Sequence, residues 1–412
     1  MQHEGAKQAA EAVARRSYGK LIAFLAARTR DVAGAEDAMS EAFATALAGW
    51  PAHGIPDNPE AWLLTVARRK MIDAARRRRG DDAIAEQLEL IAQHVDDDPG
   101  DAIPDDRLPL MFACTHPAID PGVRAPLMLQ SILGFDAAAI ASAFLVAPAT
   151  MGQRLVRAKA KLRQAGIPFR VPGRAEWSER LAAVLDAIYA AYAEGWADPA
   201  GTDPRRRNLA EEAIWLGRLV ASMLPDEPEA LGLLSLMLHA QARRGARRDQ
   251  QGRYVPLAQQ DPSAWDIAVI DEAESMLRHA SAMGTIGRYQ LEAAIQSAHV
   301  VRRRTGRADW TAIDQLYAAL MAITGSPVAA INRAVASAET QGEAAALAAL
   351  DELADDTRLA QYQPYWAARA GLLERLGQAG PAAQAYERAI GLEPDPAVRD
   401  FLQQRRLALV SS

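Results

Sequence analysis

The segment from residue 135 to residue 162 constrains the fold of this 412-residue chain most, because it predicts two short helices joined by a tight turn. Pro148 suits the first position of the second helix, since proline lacks the N–H that this position leaves unbonded. Four apolar residues then recur at helical spacing: Met151, Leu155, Ala158 and Leu162. The other faces are basic, with five Lys or Arg and no acid between residues 154 and 163. Such a helix can pack on one side and enter a DNA major groove with the other.

The same pattern also fits a surface helical hairpin whose basic face is simply solvated. The short turn favours the near-perpendicular crossing of a helix-turn-helix. Leu145 argues against it, because glycine is usual at this place in such turns. A left-handed backbone at Leu145 would cost about 1 kcal/mol or more.

Composition points to an all-α protein. Alanine dominates, aromatic residues make up only 6% of the chain, and runs of β-branched residues are scarce. The single cysteine, Cys114, excludes an internal disulfide and suits a reducing compartment. No apolar run approaches the ~20 residues of a membrane span, and the N-terminus lacks the apolar core of a signal peptide. We therefore expect a cytoplasmic protein that does not enter a membrane.

Charge is segregated along the chain. Residues 1–170 contain 21 basic and 21 acidic residues, so the formal net charge of -6 comes entirely from the remainder. Within the balanced part, residues 68–79 carry seven basic residues and one acid, and residues 81–106 carry ten acids and no Lys or Arg. Blocks of this kind are typical of interaction surfaces or flexible tails.

The pattern divides the chain into four parts. Residues 10–80 predict a compact helical unit, residues 81–106 an acidic linker, and residues 107–168 a second helical unit that ends in the helix-turn-helix. Residues 175–412 predict a helical array, and a degenerate tetratricopeptide spacing near its end indicates a solenoid. That spacing is carried by Trp366, Ala370, Leu373, Gly377, Ala382, Tyr386, Ala389 and Pro394.

Three segments carry a resemblance to a known family: AEDAMSEAF at 35–43, AWLLTVARRKMIDAARRRR at 61–79, and the helix-turn-helix. In this order and spacing, residues from about 10 to 166 resemble bacterial sigma factors of the extracytoplasmic-function group. These factors carry only the two core sigma domains, regions two and four. The remainder of the chain resembles the tetratricopeptide-like extension of one such subgroup.

The resemblance implies a sigma factor that binds core RNA polymerase and directs initiation at specific promoters. It places polymerase binding on the helix that holds Glu36, Asp37, Glu41 and Phe43. At the minus-ten element it implies a base-binding pair, Asn58 and Trp62, and backbone contacts by Arg68, Arg69, Arg76 and Arg77. At the minus-thirty-five element it implies readout by Thr150, Gln153, Arg154 and Arg157, with Lys159 among the residues that hold phosphates.

Several points of the resemblance stay open. Trp62 also fits a core position, and Asn58 also fits a plain helix cap. Arg69 stands where many relatives have Asn, which puts base choice at the minus-ten element in doubt, and Ala147 replaces a capping Ser or Thr. The acidic linker could thread towards a channel meant for nucleic acid or act as a solvated tether.

Two other functions compete with the sigma factor. A stand-alone helix-turn-helix regulator with a solenoid sensor would bind duplex DNA as a dimer, but it leaves the basic 68–79 segment without a role. An enzyme is not expected, because the chain has no glycine-rich phosphate loop and no HExxH. Cys114 and His116 have no further Cys or His nearby, so we expect neither a metal site nor a cofactor. We expect the extension to modulate activity in place of a separate anti-sigma protein, and it could receive a protein or peptide ligand.

Overall fold

The computed structural model describes residues 2–77, 104–144, 146–173, 175–196 and 204–411. The chain divides into two compact units: unit 1 comprises Met1–Gly195 and Asn208–Ala213, and unit 2 comprises Trp196–Arg207 and Ile214–Ser412. The regular elements of the described ranges are helices, apart from one isolated antiparallel bridge between Arg248 and Tyr254. The predicted all-α, multi-domain fold is thereby confirmed. Most of the predicted acidic linker, and Leu145, lie outside the described residues.

Unit 1 is built from eight helices and the segment Asn208–Ala213 in the described part of the chain. The helices are α1 (Gln2–Thr29), α2 (Val32–His53), α3 (Pro59–Arg77), α4 (Arg107–Cys114), α5 (Pro121–Leu133), α6 (Ala137–Ala143), α7 (Pro148–Gln164) and α8 (Trp177–Trp196). Local chemistry explains where these helices begin. The Asp31 carboxylate accepts a hydrogen bond from the Gly34 N–H at 3.0 Å and caps α2. Helix α7 begins at Pro148 as the sequence predicts, although Ala147 offers it no side-chain cap.

The core of unit 1 lies between α1, α2 and α3 on one side and α4, α5 and α7 on the other. Helices α1 and α5 approach so closely that only glycine fits at residue 19. A Cβ atom there would lie 2.0 Å from the carbonyl oxygen of Ile132. The predicted apolar stripe of α7 is buried at all four positions, which confirms the periodicity argument. Helix α8 belongs to unit 1, whereas the predicted extension begins at residue 175.

Unit 2 is a run of paired helices. After α9 (Pro204–Met223), which contributes to both units, they are α10 (Pro228–Ala242), α11 (Ile267–Ala282), α12 (Arg288–Val300), α13 (Arg302–Thr305), α14 (Trp310–Thr324), α15 (Pro327–Gln341), α16 (Glu343–Asp351), α17 (Gln363–Arg375), α18 (Ala379–Leu392) and α19 (Pro396–Ser411). The Glu229 carboxylate accepts hydrogen bonds from the backbone N–H groups of Tyr289 and Gln290, at 2.9 and 3.1 Å. The start of α10 is thereby tied to the start of α12.

Helices α17 and α18 form the pair in which the tetratricopeptide spacing occurs. Gly377 ends the turn between them with φ at 72°, a left-handed conformation that favours glycine. Most residues of the spacing share one core: Ala370, Leu373, Ala382, Tyr386 and Ala389. In the described ranges, no helix combines the length and apolarity that crossing a bilayer requires.

Candidate functional site

Helix α3 carries the basic segment that the sequence assigned to DNA. Arg69 and Arg76 are exposed on it, and the side chain of Arg77 lies outside the described residues. The prediction was wrong for Arg68, which is only 3% exposed. Its face of α3, at the i, i+3, i+4, i+7 positions of Leu64, Ala67, Arg68 and Met71, is buried because α3 packs against both α1 and α2. Arg68 therefore belongs to the interior of unit 1.

Asn58 and Trp62 lie where α3 begins. The Asn58 Oδ1 atom accepts a hydrogen bond from the Ala61 N–H at 3.1 Å, so Asn58 caps the helix, and its side chain is exposed. Trp62 is half-buried, and its ring meets that of Trp50 edge-on with the centroids 5.5 Å apart. The capping role considered for Asn58 is therefore present, whereas Trp62 packs on Trp50 without being fully buried, and both side chains reach the surface.

Helix α2 carries the acids assigned to polymerase. Asp37 and Glu41 are exposed, and Glu41 pairs with Lys70 of α3 at 3.1 Å. Phe43 is half-buried, with its ring 6.5 Å from that of Tyr18. The prediction of an exposed acid was wrong for Glu36, whose side chain is only 13% exposed.

Glu36 and Lys159 are brought together by the fold, although the sequence assigned them to different partners. The Lys159 side chain is 10% exposed and donates a hydrogen bond to the Glu36 carboxylate, which also accepts one from the Ser131 hydroxyl at 3.0 Å. Lys159 is therefore not on the exposed face of α7, which corrects its assignment to phosphate. A second, looser pair joins Arg163 of α7 to Asp31 at 3.6 Å. One margin of α7 thus lies against α2.

Burial dominates the electrostatics of this contact. Burial raises the pKa of Glu36 above its ordinary value, even though the charge of Lys159 and the hydrogen bonds from Lys159 and Ser131 act in the opposite direction. The negative charge of Asp37 raises it further. The ion pair therefore only partly offsets the cost of removing the carboxylate from water.

The opposite side of α7 is open. Thr150, Gln153, Arg154 and Arg157 are exposed, as the sequence predicts, while the stripe of Met151, Leu155, Ala158 and Leu162 is buried. The Arg157 Nε atom donates a hydrogen bond to the Gln153 carbonyl at 3.3 Å. Val156 is exposed beside them, and no sequence argument had singled it out.

The residues that the structure describes contain no group of three or more His, Cys, Asp or Glu that could hold a metal ion. Cys114 is fully buried, and the His116 Nδ1 atom accepts a hydrogen bond from the Ala118 N–H at 3.1 Å within its loop. In unit 2, burial lowers the pKa of His239 and of His299 to about 4, so both rings are neutral at pH 7.

Comparison with known proteins gives the chain a family. Residues 13–80, which contain most of α1 and all of α2 and α3, match sigma-70 region 2, and residues 180–281 match a family of unknown function, DUF6596. An uncharacterized protein of Rhizobium meliloti (strain 1021) is 38% identical over 378 residues, which cover 90% of this chain and 89% of that protein. No solved structure gives a significant match. The chain therefore belongs to the same family as this Rhizobium protein, and the match of its N-terminal part to sigma-70 region 2 supports a sigma-factor-like role in transcription initiation.

Proposed function

We propose that this chain is a sigma factor of the extracytoplasmic-function group, with a regulatory tetratricopeptide-like extension at its C-terminus. It binds core RNA polymerase in the cytoplasm and directs initiation at promoters with a minus-ten and a minus-thirty-five element. The observation that carries the proposal is the match of residues 13–80 to sigma-70 region 2 over the helices that expose the acids of α2 and the arginines of α3.

Each exposed group has a role in this proposal. Asp37 and Glu41 of α2 meet a basic surface of core polymerase. Arg69 and Arg76, with Arg77, hold the backbone of the melted minus-ten strand, and Asn58 and Trp62 receive an unstacked base. Helix α7 enters the major groove of the minus-thirty-five element with Thr150, Gln153, Arg154 and Arg157.

Region two and the helix-turn-helix must separate before both elements can be bound, because the elements lie apart along the promoter. The packing of α7 on α2 through Lys159 and Glu36 supports a closed form of unit 1 in the free protein. In this form Glu36 is covered. Docking of α2 on polymerase would break this contact.

The extension is the regulatory part of the proposal. The α17–α18 pair, with its left-handed Gly377 and its small buried residues, supports a tetratricopeptide-like arrangement. It would modulate the sigma domains in place of a separate anti-sigma protein, in response to a protein or peptide ligand. A truncation that tests this role should fall beyond α9, because unit 1 includes α8 and the segment Asn208–Ala213 of α9.

Formation of a complex with core polymerase tests the proposal. The wild-type chain should co-elute with core polymerase, and the double variant Asp37→Lys and Glu41→Lys should lose most of this binding. Glu352→Lys is the matched control, since this exposed glutamate lies in unit 2. A chain that does not bind polymerase but shifts duplex DNA on its own would be a stand-alone regulator, and the proposal would be wrong.

A further inference from the structure

Val156 is an exposed apolar side chain in the middle of a basic helix. It is 68% exposed, more than any other large apolar residue among those described in unit 1. A β-branched residue also has a lower helix propensity than alanine. Neither packing nor helix formation therefore explains why a valine stands at this position of α7.

The position of Val156 on α7 is that of a base-reading residue. With 3.6 residues per turn, it lies roughly opposite the buried stripe of α7, and Gln153 is its neighbour one turn earlier. Ala149 and Ala160, which are small, lie on the same side of the helix. Arg157, which is exposed and adjoins Gln153 on the helix surface, flanks this face. Small, apolar and amide side chains therefore occupy the centre of this face, and basic side chains lie at its edge.

Such a face matches a particular pattern of base edges. Thymine is the base that presents a methyl group in the major groove, and apolar side chains read it by contact. A Gln side chain pairs with the N6 and N7 atoms of adenine. Arginine at the margin suits phosphate or guanine.

We infer that Val156 contacts the 5-methyl group of a thymine in the minus-thirty-five element, beside an adenine read by Gln153. The inference rests on the proposed function, since it assumes that α7 enters promoter DNA. Val156 would then contribute to sequence specificity through an apolar contact, without a charge or a hydrogen bond.

Deoxyuridine provides the test, because it differs from thymidine at this edge only by the missing methyl group. Start sites found with the full chain and core polymerase define the minus-thirty-five element. Each thymine of that element is then replaced by deoxyuridine in a synthetic promoter. With the wild-type chain, one replacement should weaken holoenzyme binding about fourfold, the effect of one methyl group removed from contact.

The Val156→Ala variant should bind the thymidine promoter more weakly and should show no further loss with deoxyuridine. Alanine favours the helix, so this variant is expected to fold. Val171→Ala is the control, since Val171 is an exposed valine outside α7, and it should keep the wild-type sensitivity. If every replacement is neutral, or if Val156→Ala keeps the full deoxyuridine penalty, the inference is wrong while the transcripts still support the proposed function. If no start sites appear, the proposed function fails and the inference fails with it.

Discussion

Removal of the Lys159 charge should open the contact between α7 and α2. The Lys159→Met variant keeps the apolar stem of the side chain but leaves the Glu36 carboxylate in its buried place without a cation. Breaking a buried ion pair by removing one partner typically costs about 3–5 kcal/mol. Here the side chains of Lys159 and Glu36 are 10% and 13% exposed, and Ser131 still donates its hydrogen bond. We therefore expect the Lys159→Met substitution to lower the free energy of opening this contact by roughly 2–4 kcal/mol.

The effect should depend on pH in a defined direction. The pKa of Glu36 is raised in the folded protein, so the folded state binds this proton more readily than the unfolded state. The folded protein therefore loses stability as the pH rises from about 4.3, the pKa of Glu36 in the unfolded chain, through its raised pKa in the folded chain. Loss of Lys159 raises the pKa of Glu36 further. Because the unfolded state is the same in both chains, the deficit of the variant should grow as the pH rises from the pKa of Glu36 in the wild-type protein towards its higher pKa in the variant, and shrink as the pH falls below the wild-type pKa.

Hydrogen exchange of the full chain measures this opening locally. Peptides from α2 and α7 should exchange roughly 30- to 1,000-fold faster in Lys159→Met than in the wild-type chain at pH 7, the equivalent of 2–4 kcal/mol. Lys161→Met is the control, because Lys161 is an exposed lysine on the same helix. Adding Glu36→Gln should restore part of the protection, as expected for coupled residues. Equal exchange rates in the two lysine variants would refute the argument that this pair holds α7 on α2.

Three further predictions follow from single contacts. In a denaturation experiment, Gly19→Ala should destabilise unit 1 by roughly 3 kcal/mol, because the new Cβ atom would lie 2.0 Å from a carbonyl oxygen. Gly49→Ala, which places its Cβ atom in open space, should stabilise α2 slightly in the same experiment. His239→Leu should make unit 2 less sensitive to acid. The pKa of the wild-type His239 ring is lowered from 6.5 to about 4, so the wild-type chain should lose roughly 3 kcal/mol more of its free energy of unfolding between pH 7 and 4 than the variant does. Arg154→Ala should weaken binding to one guanine-containing promoter position by roughly 1–3 kcal/mol without loss of folding, measured with promoter variants.

Local patterns in the sequence were sufficient to predict much of the helical structure of unit 1. The start of α3 at Pro59, with Asn58 as its cap, and the buried stripe of α7 both follow from residues within one or two turns. Such features depend on helix geometry and capping, which the sequence displays directly.

Contacts between distant segments could not be predicted in this way. Arg68 looked like part of a solvated basic face, but α1 and α2 both cover that side of α3. Glu36 and Lys159 are 123 residues apart in the chain and were read as parts of two surfaces. A single helix period shows which residues share a face, but not how many neighbours cover it. The exposure of Val156 became visible only when the packing of α7 was known.

Run-off transcription shows whether this chain directs initiation at specific promoters. Purified core RNA polymerase would be incubated with a genomic fragment library, with and without the full chain, and the transcripts would be sequenced. If the chain is a sigma factor, new and discrete start sites should appear only with this chain and share two spaced promoter elements. If the chain binds polymerase or DNA but yields no new start sites, and the Lys159→Met variant yields none either, the chain does not direct initiation and the account is wrong.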